Sequence, residues 1–261
     1  MLIIFKDLNL VKTNNCQIIG WWKQLSLPQK TFLSFIPLFL VTSAFVLTGI
    51  VESLLTFGTI IEQIDKFTDQ TNVMLLIYAV IYTFNPKSWL LKNQQFFLSA
   101  LAYILFTFIG YNLILSIAGI AYKSTNPYKL TSSIFLHVIA PIAFFIASFI
   151  KIKHEKDVNI NMFFKSLLLF MIYPLIYGLY LVTIPYVRHY LFNGRPSTYT
   201  IYGSITNTKD NPFAWLVVFA VLFIYFPLSY LAIYLLQLKL IKKAIKPQFN
   251  LPFTLNKWKQ K

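Results

Sequence analysis

Six apolar windows, each close to the roughly 20 residues that a helix needs to cross a bilayer, recur along this chain at about 32–51, 68–85, 96–122, 130–150, 163–184 and 213–238. Nothing constrains the fold more. In hydrocarbon every backbone N–H and C=O needs a partner within the protein, so such windows must be helices. The composition agrees. Charged residues make up 12% of the chain against about 25% in a soluble domain, and 26 Phe and 16 Tyr supply apolar bulk. The expected fold is all-α: a polytopic bundle of six transmembrane helices. A segment over 1–31 precedes the 32–238 membrane domain, and a basic tail over 239–261 follows it. Neither an internal repeat nor a Gly/Ser linker divides the chain, so one domain is expected.

Punctuation supports the windows. Pro86 with the "NPKSW" turn closes the second, and Asn126-Pro127 separates the third from the fourth. Pro37, Pro141, Pro174 and Pro227 fall inside windows, where membrane helices accept them as kinks once neighbours satisfy the freed carbonyls. The N-terminus lacks the small-residue cut site of a cleavable signal, so the first window is expected to insert uncleaved.

Lysine and arginine orient the bundle. Seventeen of the 23 lie in the N-terminal segment, the second and fourth loops and the tail, and six lie on the other side. By the positive-inside rule both termini face the cytoplasm of a plasma membrane. The net charge of +15 then reads as a topology signal, with the tail meeting anionic lipid headgroups, rather than as a nucleic-acid surface. One cysteine, Cys16, excludes an intrachain disulfide. His137, His154 and His189 show no metal-binding spacing, so neither metal nor cofactor is expected. Membrane lipids are the expected partners, and the oligomeric state is left open.

The outer ends of the windows hold the polar groups. In "KFTDQTN", Thr68, Thr71 and Asn72 stand at i, i+3 and i+4, on one helix face. Asp69 suits the first turn of a helix through the macrodipole. His137 lies about seven residues into the fourth window, roughly 10 Å deep by the helix rise. Asn112 and Ser116 fall in the outer half of the third, and Tyr173, Tyr177 and Tyr180 ascend the fifth past Pro174. These groups are expected at a common depth. No charged side chain is expected in the span interiors, which argues against an ion-coupled carrier. The long fifth loop, rich in Tyr, Thr, Gly and Asn, reads as a cap over whatever lies beneath.

Three short motifs carry a resemblance. "FTDQTN" resembles the "FT-x-x-(S/T)-N" element of bacterial six-helix membrane proteins related to the androgen-induced, FAR-17a-like family. "LHVIAP" is similar to that family's His-x-x-x-Pro element, and "YPLIYGLY" to its Tyr-Pro-x-x-Tyr element. Eukaryotic members are lipid hydrolases that cleave fatty-acid esters of hydroxy fatty acids with an intramembrane threonine and a histidine. The resemblance implies Thr68 as nucleophile and His137 as its base, with Thr71 a competing nucleophile. Chemically, a threonine hydroxyl needs such a base, and imidazole titrates in the right range. Asn72, Asn112 and Tyr177 are then expected as oxyanion donors, with Tyr173 beside them at the substrate. Two functions stay open from sequence: a membrane-embedded hydrolase of lipid esters, and a non-catalytic binder or transporter of lipid or a small solute.

Overall fold

The computed structural model describes residues 15–55, 65–92, 94–117, 119, 121–122, 124–155, 163–192 and 200–241. The basic tail beyond 241, and Lys6, Lys12, Glu62, Lys123, Lys156 and Arg195, lie outside the described residues. Seven rods account for most of the rest: α1 Asn15–Gln24, α2 Leu27–Leu55, α3 Phe67–Phe84, α4 Gln95–Leu115, α5 Pro127–His154, α6 Phe163–Phe192 and α7 Phe213–Ile241. No strand occurs among the described residues.

Five of these, α2, α4, α5, α6 and α7, are long and apolar enough to cross a membrane. Their outward faces are hydrocarbon: Leu168, Leu169, Ile172 and Ile176 on α6, and Leu216, Phe219, Phe223 and Leu228 on α7, are all exposed. Water would not tolerate so continuous an apolar surface. The molecule is a multi-pass membrane protein. The remaining window, the second in the chain, is α3, which has 18 residues but opens with five polar side chains in its first six. It lies among the other five. Phe67 at its start touches Tyr103 and Phe106 of α4, Tyr177 of α6 and Phe226 of α7. Tyr78 near its end touches Phe32 of α2, Phe97 of α4 and Phe144 of α5.

These contacts fix directions. Phe97 pairs with Tyr78 and Phe106 with Phe67, so α4 is antiparallel to α3. Phe39 meets Phe144 while Phe45 meets Phe135, so α2 is antiparallel to α5. Phe226 sits beside Phe67, and Gln237 donates to Gln94 at 3.2 Å, so α7 runs with α3. Successive rods from α2 to α7 therefore alternate. At one end Trp21 stacks on Phe84, with Trp22 and Trp89 exposed nearby in the chain. At the other, Trp215, Tyr128 and Tyr190 are exposed. Amphipathic rings at both ends are the expected interfacial girdles.

Two expectations need correction. The third window does not run to 122: after residue 117 the chain turns, with Gly119 and Tyr122 both at positive φ. And α5 continues to His154, so Lys151 lies inside a helix, 4% exposed. Its ammonium is held by Glu155 and sits 4.5 Å from the centre of the Phe97 ring. Glu155 also accepts from Tyr82. The charge is tolerable because a carboxylate and two aromatic faces replace its water.

Candidate functional site

Three helices lose regular geometry at π-helical turns: Gly110–Leu115 in α4, Phe135–Ile139 in α5 and Val221–Tyr225 in α7. Pro141 and Pro174 add further breaks, because a proline has no N–H for the carbonyl four residues back. Each break releases a carbonyl into hydrocarbon, where nothing but protein can satisfy it. Asn72 and Asn112, singled out from sequence, meet such carbonyls, as does Tyr103.

Asn112 donates from Nδ2 to the carbonyl of His137, the one that Pro141 leaves free, at 2.8 Å. Its second amide proton goes to Phe108 at 2.8 Å, and its Oδ1 accepts from Tyr122. Asn72 donates to the carbonyls of Thr68 at 2.8 Å and Leu136 at 3.1 Å, tying α3 to the π-turn of α5. Tyr103 donates to the carbonyl of Phe170 at 2.6 Å, which is the group freed by Pro174. Tyr225 donates to Phe106 at 3.1 Å, a carbonyl that also receives the N–H of Gly110. Asn72, Asn112 and Tyr103 thus serve carbonyls at broken helix ladders.

This arrangement overturns part of the expected site. An amide nitrogen has two protons, and those of Asn72 and Asn112 are both committed, so neither residue can donate to an oxyanion. Tyr177 gives its proton to the carbonyl of Asp65 at 2.8 Å, and Tyr173 gives its proton to Gln70. Nor do the two threonines share an outlook. The Thr71 hydroxyl donates to Phe67 within its own helix at 2.7 Å and faces a groove beside Tyr103 and Tyr173. Thr68 instead lines a cavity of about 130 Å³ enclosed by α3, α4, α6, α7 and the 200–206 segment.

His137 lies at the edge of this region. Its ring stacks on Tyr111, centroids 3.4 Å apart and planes 6° off parallel, and Tyr111 lines the same cavity as Thr68. Asn72 bridges Thr68 to Leu136, the neighbour of His137, so the threonine turn and the histidine turn are adjacent. Three buried polar atoms here have no hydrogen-bond partner: Asn72 Oδ1, His137 Nδ1 and Thr107 Oγ1. Thr107 lines the cavity.

The end of the bundle beside the 200–206 segment is closed by groups far apart in the chain. Asp65 and Arg188 form an ion pair at 2.8 Å, with the two side chains 4% and 12% exposed. Burial lifts the carboxyl of Asp65 above the ordinary carboxylate range although Arg188 and Lys66 oppose it. Tyr180 also donates to Asp65, at 3.4 Å. α3 has no side-chain cap. Its first N–H, that of Phe67, is taken by the hydroxyls of Tyr202 at 3.0 Å and Tyr177 at 3.2 Å. Tyr202, Ile205 and Thr206, in the loop expected to act as a cap, roof the cavity. The opposite charges of Asp65 and Arg188, 123 positions apart, are the sequence signal for the pair. Nothing local marks Tyr103 or Tyr111.

Residues 130–243 match a family model described as "Protein of unknown function (DUF1600)". Over 261 residues the chain is 99% identical to "Uncharacterized protein MG452" of Mycoplasma genitalium, covering 100% of both. Over 243 residues it is 60% identical to "Uncharacterized protein MG452 homolog" of Mycoplasma pneumoniae, covering 92% of this chain and 97% of that one. It is 30% identical over 177 residues to "Uncharacterized protein MG133" of Mycoplasma genitalium, covering 58% of this chain and 66% of the relative. No solved structure matches. These identities extend along nearly the whole of the first two relatives, and the chain belongs to the mycoplasma MG452 family.

Proposed function

We propose that this is a six-pass protein of the plasma membrane, both ends cytoplasmic, that seats the end of a lipid acyl chain in the cavity beneath the 200–206 segment. The alternating rods favour an even number of crossings, with α3 as the sixth span, and the lysine distribution favours cytoplasmic ends. One observation carries the lipid reading: the 20 residues around the cavity include no charged side chain and are mainly Phe, Tyr, Leu, Ile and Val. An apolar space of this size excludes water and admits a benzene-sized group. Its wall includes Ile114, 45% exposed, so the space reaches the lipid-facing surface.

The test uses a phosphatidylglycerol with a diazirine at the end of one chain, in nanodiscs. Photolabelling should concentrate on 217–225, and Val221→Trp, which fills the space, should remove most of it. Labelling spread along the leucines of α6 and unchanged by Val221→Trp would refute the reading.

A second reading is the hydrolysis of a lipid ester, with Thr68 as nucleophile and His137 as base, as the family resemblance implies. The unpartnered His137 Nδ1 beside the Thr68 turn favours it. The commitment of Asn72, Asn112 and Tyr177 elsewhere weighs for holding a lipid over cleaving it. Fluorophosphonate labelling that disappears in Thr68→Ala and in His137→Ala would establish hydrolysis; equal labelling of all three proteins would eliminate it.

A further inference from the structure

On the far side of the Phe67 aromatic wall lies a second space, a groove of about 390 Å³. Gln70, Thr71 and Met74 of α3, Ser99 and Tyr103 of α4, and Tyr173 of α6 line it. Its rim is half-buried at Gln70, Met74 and Tyr173, and the neighbouring Ile77 and Ile172 are exposed, so the groove opens sideways onto lipid. Met74 stands roughly 10 Å along α3 from Phe67 by the helix rise. The groove therefore lies within hydrocarbon, out of reach of a charged headgroup, and no charged residue lines it.

Three of the four hydroxyls that line the groove have already given their protons away, while the fourth, Ser99, accepts from Gln95 at 3.3 Å. Thr71 donates to Phe67 at 2.7 Å, Tyr103 donates to Phe170 at 2.6 Å, and Tyr173 donates to Gln70. What Thr71 and Tyr103 still present to the groove is lone pairs. At Thr71 and Tyr103 a ligand that only accepts hydrogen bonds, such as an ester without a hydroxyl, would set lone pair against lone pair. A ligand that donates completes the set. We propose that this groove binds an uncharged lipid bearing a free hydroxyl, of the diacylglycerol class, with its hydroxyl donating to Thr71 Oγ1 or Tyr103. This site is separate from the acyl-chain cavity and does not depend on it.

The test compares two photoactivatable probes in nanodiscs: a diacylglycerol and the same molecule with its hydroxyl O-methylated. They share chains and differ by one donor. The diacylglycerol should label residues 70–77 and 96–103 about tenfold more than its O-methyl ether. Thr71→Val, which keeps the shape and removes the lone pairs, should abolish the difference. Met74→Trp should block labelling by both. Gel filtration verifies that each variant is folded, and phospholipid labelling at 217–225 reports on the cavity independently. Equal labelling by the two probes, or a preference that survives Thr71→Val in folded protein, would overturn the proposal.

Discussion

Arg188→Leu should cost about 3–5 kcal/mol of stability at neutral pH, the range for removing one partner of a buried pair. The loss of attraction is the smaller part. Leucine leaves the carboxylate of Asp65, 4% exposed, without its cation at 2.8 Å. Asp65 already titrates above the usual range because burial outweighs the attraction of Arg188, so the variant should push it further upward. The sign of the pH dependence follows. A carboxyl whose folded pKa is raised binds its proton more tightly folded than unfolded. Its contribution is fully present below the unfolded value near 3.8 and is lost as pH rises through the higher folded pKa. The variant should therefore regain stability on acidification, and Asp65→Leu added to it should recover most of the loss at any pH. Thermal unfolding in detergent across a pH series reads both effects. A variant equally stable at neutral and acid pH would show that the pair does not anchor the start of α3.

The second large effect is expected at Asn72→Leu. Leucine matches the shape and removes both amide protons. Of the two carbonyls affected, Thr68 keeps its place in a helix, whereas Leu136 sits in the π-turn of α5. Hydrogen bonds between membrane helices average about 0.6 kcal/mol because the unfolded chain also finds partners. A buried, unsatisfied group costs about 1–3 kcal/mol. Asn72 is fully buried, with no route for water, so the upper range should apply. Destabilisation should be accompanied by faster hydrogen exchange across 135–139. Loss below about 0.5 kcal/mol, with exchange there unchanged, would show that the bridge is incidental.

Apolar length made the rods legible. Windows of 18 to 27 residues have one solution in hydrocarbon, and five of the six fold as helices long and apolar enough to cross. The polar belt was half legible. Asn72, Asn112, His137 and the tyrosines were found because polar groups in apolar windows are expensive. Their roles were not, because a role depends on which carbonyl faces which side chain. Asn112 lies 25 positions from the carbonyl it serves, and Tyr103 lies 67 from its own. Prolines announce a freed carbonyl in the sequence but do not name its partner. The π-turns had no local signal. They rotate the residues that follow within α4, α5 and α7.

Asn72, Asn112 and Tyr103 serve carbonyls released by helix breaks, and a double-mutant cycle on Tyr103 and Pro174 isolates one of these bonds. Tyr103→Phe deletes one hydroxyl and nothing else. In the parent it should destabilise by about 1 kcal/mol. In a Pro174→Ala background the new N–H at 174 can serve the carbonyl of Phe170, and the same deletion should cost almost nothing. Additive losses, with no coupling between the two positions, would contradict the account.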